Sequence, residues 1–87
     1  MPRVFIPPDL RALTGGLALI EAAGNTVRQV VDSIEAKHPG MAAKLIVNDR
    51  LRSDLAVVVD SRVSSRGLRE RVEPDSEVQF LPSISGG

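Results

Sequence analysis

Apolar and polar positions alternate in two short runs near the ends of the chain. In RVFIP, Arg3 to Pro7, Val4 and Ile6 share one face, and Arg3 and Phe5 share the other. This is the period-two pattern of a strand. In EVQFL, Glu77 to Leu81, Val78 and Phe80 share a face in the same way. Pro7-Pro8 ends the first run, because proline donates nothing to a sheet ladder. RALTGG then predicts a turn at Gly15-Gly16, and LALIEA a second strand. The two N-terminal strands read as a hairpin with a long connection.

The pattern changes period in GNTVRQVVDSIEAKHPG. Val27, Val30, Val31 and Ile34 recur at i, i+3, i+4 and i+7, the apolar stripe of a helix. Arg28, Gln29, Asp32, Ser33 and Glu35 cover the opposite side. Thr26 is placed to cap this helix, with Gln29 three residues on, as a capping box requires. Pro39-Gly40 stops it, and MAAKL predicts one further helical turn. DLAVVVD predicts a valine-rich strand, with a turn at Asp60 to Arg62 and a short return strand from Val63. SSRGLRERVEP is polar, and Leu68 and Val72 are its candidate core plugs; EPDS is a turn before the last strand.

The order is β-β-α-β-(β)-β. A single amphipathic helix covers only one face of a sheet, so the expected fold is α+β, a mixed sheet of four to five strands with one main helix across one face. Val4, Ile6, Val78 and Phe80 point at the helix in this reading, with one face of Leu55 to Val59. By the same parity Phe5 and Leu81 lie on the far face, with Val58 or its neighbours. An exposed apolar patch there is a candidate docking site.

Composition narrows the function classes. The chain has 87 residues, 43% hydrophobic and 25% charged, as one small globular domain would. Its formal net charge is zero and aromatics are only 2%, which favours neither nucleic acid nor an anionic membrane as partner. No apolar run reaches membrane-span length, and the opening MPRVFIPPDL does not read as a signal peptide, so a cytoplasmic location is expected. With no cysteine there is no disulfide, no cysteine-ligated zinc and no thiol nucleophile. One histidine, His38, builds no metal cluster alone; it reads as a neighbour of the helix C-terminus.

The last six residues, PSISGG, have a different character. The domain is expected over residues 1–81, with a flexible tail over 82–87. Pro82 interrupts the strand, Ser83 and Ser85 favour water over a core, and Ile84 is a candidate anchor in a partner's groove. Extended, the tail reaches roughly 20 Å, at about 3.3–3.6 Å per residue. Gly86 and Gly87 pass through a narrow channel and leave the last carbonyl open to a nucleophile.

Element order, size and the terminal EPDSEVQFLPSISGG resemble the ubiquitin-like β-grasp sulfur carriers. That family includes the small subunit of molybdopterin synthase, the thiamine sulfur carrier and a carrier used in cysteine synthesis. Asp75, Glu77, Val78, Phe80, Leu81, Pro82, Gly86 and Gly87 match its ending, and the G-x-T-V start of the helix matches as well. The usual Asp-Gly-Asp turn is replaced by Pro74-Asp75-Ser76. The N-terminal IPPDLRALTGG is similar to the cysteine-synthesis type.

The resemblance implies a protein co-substrate rather than an enzyme, able to serve as the small subunit of a synthase. The terminal carboxylate, with a pKa of about 3.5, is ionised and unreactive at neutral pH. It needs conversion to an acyl adenylate on Gly87 by a ubiquitin-activating-like adenylyltransferase. ATP and Mg are used by that partner, and no cofactor is bound by the carrier itself. Sulfide or a persulfide then displaces AMP, and the resulting thiocarboxylate goes to a sulfur-accepting synthase. Two other readings remain: a ubiquitin-like modifier joined through Gly87 to lysine, and a non-covalent module with an inert tail. Arg66, Arg69 and Arg71 read first as a solvated basic face balanced by Glu70, Glu73 and Asp75, and more sharply as a docking surface for the adenylyltransferase.

Overall fold

The computed structural model describes residues 1–82. Its sheet is built from β1 (Arg3–Phe5), β2 (Leu19–Glu21), β5 (Leu55–Val59), β6 (Arg62–Val63) and β7 (Glu77–Pro82). Two helices, α1 (Val27–Lys37) and α2 (Met41–Leu45), follow β2, and a small hairpin, β3 (Ile46–Val47) with β4 (Arg50–Leu51), follows α2. Strand order is β2-β1-β7-β5-β6, with β1 parallel to β7 and every other pairing antiparallel. The expected mixed sheet is therefore present, with five strands.

Helix α1 forms where the apolar stripe demanded it. Val27, Val30, Val31 and Ile34 are all buried against the sheet. Each such side chain contributes about 1.5–3 kcal/mol relative to an exposed one. The Thr26 hydroxyl accepts from the Gln29 N–H at 3.2 Å. The Gln29 side chain accepts from the N–H of Asn25 at 2.8 Å, one residue before the position a capping box uses. Gly24 is needed for close approach: a Cβ there would lie 2.6 Å from the Val30 backbone nitrogen. Helix α2 is capped across the chain reversal by Glu35, which accepts from Gly40 N–H at 3.1 Å and Ala42 N–H at 2.8 Å. Those bonds hold the Glu35 carboxyl below the ordinary carboxylate range.

The core lies between the helices and one face of the sheet. Val4, Ile6, Val57, Val59, Val78 and Phe80 supply the sheet side, and Leu68 and Val72 plug it as expected. Asp60 and Ser61, both at positive φ, close the turn between β5 and β6. Asp60 also ties this turn to β7, accepting from the Ser76 hydroxyl at 2.7 Å and the Glu77 N–H at 2.9 Å. The Glu77 bond, then the Ser76 bond, lower the Asp60 carboxyl.

Three features differ from the sequence expectations. The connection after β1 is a 3-10 helix over Pro8–Thr14 that buries Leu10 and Thr14, and only then the Gly15-Gly16 turn. The β3–β4 hairpin was not expected; Asn48 and Asp49 at positive φ make the two-residue turn whose twist suits a hairpin. Finally, the last strand does not stop at Leu81: Pro82 pairs with Leu55. The Asp60 N–H donates to the Glu77 carbonyl. Alternation along β7 therefore turns the backbone nitrogen of Pro82 away from β5, on the side where β1 has already ended, so its missing N–H costs no ladder bond. Pro82 thus belongs to the last strand, and the rest of the expected tail, 83–87, lies outside the described residues.

Candidate functional site

The face of the sheet turned away from the helices carries a continuous row of side chains. Register places Leu19 beside Phe5, Phe5 beside Gln79, Gln79 beside Val58, and Val58 beside Val63. Paired residues in a sheet share a face. Leu81 and its partner Ala56 form the next rung, one step closer to Pro82. On the other side of the row Arg3 donates to the Glu77 carboxylate at 2.6 Å, a charged border to the apolar strip.

Leu19 and Leu81 are each 44% exposed and Val63 is 72% exposed. Phe5 is half-buried. Val58 takes the expected face but is only 9% exposed, so it supports the patch from beneath instead of presenting a contact. In the row it lies between Gln79 and Val63. Leu19 and Val63 were not singled out from the sequence. The signal was there in LALIEA, where Leu17, Leu19 and Glu21 share the parity of a solvent-facing edge strand.

This strip is what the arrangement offers chemically: an apolar contact surface ending at the root of the tail, Pro82. No group of three or more histidine or acidic side chains suited to a metal occurs among the described residues. No helix there is long and apolar enough to cross a membrane. His38 is the C-terminal cap residue of α1, its N–H donating to the Ile34 carbonyl at 2.7 Å, which is the structural place expected for it. Ser83, Ile84, Ser85, Gly86 and Gly87, the remaining candidate residues, lie outside the described residues.

Comparison with known proteins agrees with this geometry. The model of the ThiS family matches residues 4–87. A sulfur carrier protein CysO from Mycobacterium tuberculosis is 31% identical over 90 residues, covering 97% of this chain and 96% of the relative. A chain in the crystal structure of the Amycolatopsis orientalis BexX/CysO complex superposes with a TM-score of 0.90 at 33% identity, with both chains fully covered. Small archaeal modifier protein 1 from Methanosarcina acetivorans shares the fold at 20% identity, with a TM-score of 0.78 over 99% of this chain and 95% of that one. The chain belongs to the ThiS family, the ubiquitin-like β-grasp sulfur carriers.

Proposed function

We infer that the protein carries sulfur as a thiocarboxylate on Gly87, for use in cysteine synthesis. The observation that supports this most directly is that the family match runs through the Gly-Gly pair at residues 86–87. The domain supplies a contact strip at the root of that tail, and the tail supplies the acyl group.

The chemistry begins on an adenylyltransferase partner. A carboxylate oxygen of Gly87 attacks the α-phosphorus of ATP, and pyrophosphate leaves with the bonding electron pair. Mg and cationic side chains of the partner stabilise the charge that develops. The product is a mixed anhydride, reactive where the carboxylate was not. Hydrosulfide then adds to the acyl carbon, AMP departs, and the new C–S bond leaves a thiocarboxylate. A second partner, a synthase, takes that sulfur onto a serine-derived substrate. Ser83, Ile84 and Ser85 span the distance into each active site, Gly86 keeps the approach to the acyl carbon open, and Phe5, Leu81 and Pro82 belong to the surface that docks.

Intact-mass measurement on the protein taken from its native cells tests this. A mass increase equal to sulfur replacing oxygen, mapped to Gly87, is the expected result. Conjugates to lysines of larger proteins would instead make it a modifier. Normal function after deletion of Gly86-Gly87 would end both readings.

A further inference from the structure

Three arginines are left unused by the fold and by the apolar strip. Arg66, Arg69 and Arg71 line an open cleft of about 590 Å³ with Thr26 and Ser65, and no carboxylate stands in its wall. All three are exposed. None forms an ion pair among the described residues, whereas Arg3, Arg28 and Arg52 each meet a carboxylate within 3.9 Å. Two nearby acids are engaged elsewhere: Glu70 accepts from the Ser64 hydroxyl at 2.6 Å, and Asp49 pairs with Arg28 at 3.0 Å. Arg71 also borders the cleft that holds Glu70 and Glu73, without an ion pair to either. Arg50 extends the basic surface through an adjoining cleft that it shares with Arg66 and Arg69.

Folding does not require these guanidinium groups together. The segment is held by Leu68 in the core and by backbone bonds, Val27 N–H to the Glu70 carbonyl and Val72 N–H to the Asn25 carbonyl, both 2.9 Å. Clustering like charges costs self-repulsion, which a counter-charged partner relieves. The cleft also stands apart from the apolar strip. Arg71 bridges Thr26 at the start of α1, on the helix side of the sheet. The chain enters α1 from the sheet end marked by Glu21, Arg3 and Glu77, opposite to Pro82.

We propose that the Arg66–Arg69–Arg71 cleft docks a carboxylate-bearing surface of the protein that activates Gly87, as a second contact independent of the apolar strip. This rests on the carrier reading above. A protein surface fits better than a nucleic acid, because the only aromatics, Phe5 and Phe80, lie in the sheet and offer no base a stacking platform beside the cleft. The activating protein fits better than the sulfur acceptor. It meets a tail ending in an ordinary carboxylate, so it has to recognise the folded domain, whereas the acceptor meets a thiocarboxylate that marks itself.

The test follows pyrophosphate release by the activating protein with ATP and Mg, varying the full-length carrier. Arg66→Glu/Arg69→Glu is expected to raise KM for the carrier about 10-fold at low salt with kcat retained, the gap closing to under about 2-fold near 0.5 M salt. Arg66→Ala/Arg69→Ala gives the same direction if charge reversal disturbs the fold, which a urea melt reports. Lys37→Glu/Lys44→Glu makes the same change in net charge elsewhere and is expected to leave KM within about 2-fold. Equal KM for the arginine variants and the unaltered chain, or an equal shift in the lysine variant, overturns the proposal while leaving the carrier reading intact. So does lost affinity for a labelled oligonucleotide at unchanged KM. If the unaltered chain forms no adenylate at all, the carrier reading fails and the proposal falls with it.

Discussion

The two faces of the sheet are made by the same strands and differ in almost every other respect. On β7, Val78 and Phe80 are buried beneath the helices, while their neighbours Gln79 and Leu81 look the other way. The inner face is closed by α1 and α2, with Leu10, Leu68 and Val72 filling its margins. The outer face leaves Leu19, Val63 and Leu81 open around a half-buried Phe5. Adjacent residues one peptide apart thus meet different surroundings, a packed core on one side and solvent on the other. A scattered exposed leucine needs no explanation, but a row of exposed apolar side chains in register across a sheet does.

Two neighbouring substitutions on β7 separate the faces most clearly. Phe80→Ala is expected to cost about 3–5 kcal/mol in urea unfolding, a large share of the stability of a small domain. Leu81→Asp is expected to shift unfolding by less than about 0.5 kcal/mol, yet to raise KM for the activating protein about 10-fold, as does Val63→Asp to a lesser degree. Comparable unfolding costs for Phe80 and Leu81 would mean that the faces are not specialised.

Acid gives a smaller effect, exerted at the α1–α2 reversal and the β5–β6 turn. Glu35 and Asp60 both have lowered folded values, so their stabilisation is complete above the ordinary carboxylate range and is lost as pH falls through the lower folded values. Urea midpoints are expected to be level from about pH 5 to 7 and to drop below about pH 4. Asp60→Asn and Glu35→Gln should each flatten that drop, and a drop of full size in the double variant would refute the assignment. The smallest effect belongs to the charged border of the outer face. A double-mutant cycle on Arg3 and Glu77, an exposed pair at 2.6 Å, is expected to return less than about 1 kcal/mol.

Periodicity made most of this fold legible. Val27 to Ile34 announced α1, and strict alternation in RVFIP and EVQFL assigned both faces of the central strands. Short elements escaped because two or three residues carry no period. The β3–β4 hairpin rests on Asn48 and Asp49 at positive φ, and the polar pair reads equally well as a loop. Leu10 and Leu13 in the 3-10 helix are hidden between a proline pair and a glycine pair. On the outer face, parity placed Phe5, Val58 and Leu81 where the register has them, but how deeply Val58 is covered depends on cross-strand neighbours, which only register reveals. Pro82 looked like a strand breaker because the direction of its nitrogen is a property of pairing, not of residue type.

The position of β7 has a mechanical consequence. Its first half is bonded to β1 and β5 on both flanks, and its far end stays paired to β5 through Pro82. Tension applied along the strand from its C-terminal end loads those ladders in shear, many bonds sharing the force at once, instead of peeling an edge strand bond by bond. Force on the chain beyond Pro82 therefore falls on a strand held from both flanks, and optical-tweezers pulling between Met1 and Gly87 should register one abrupt rupture.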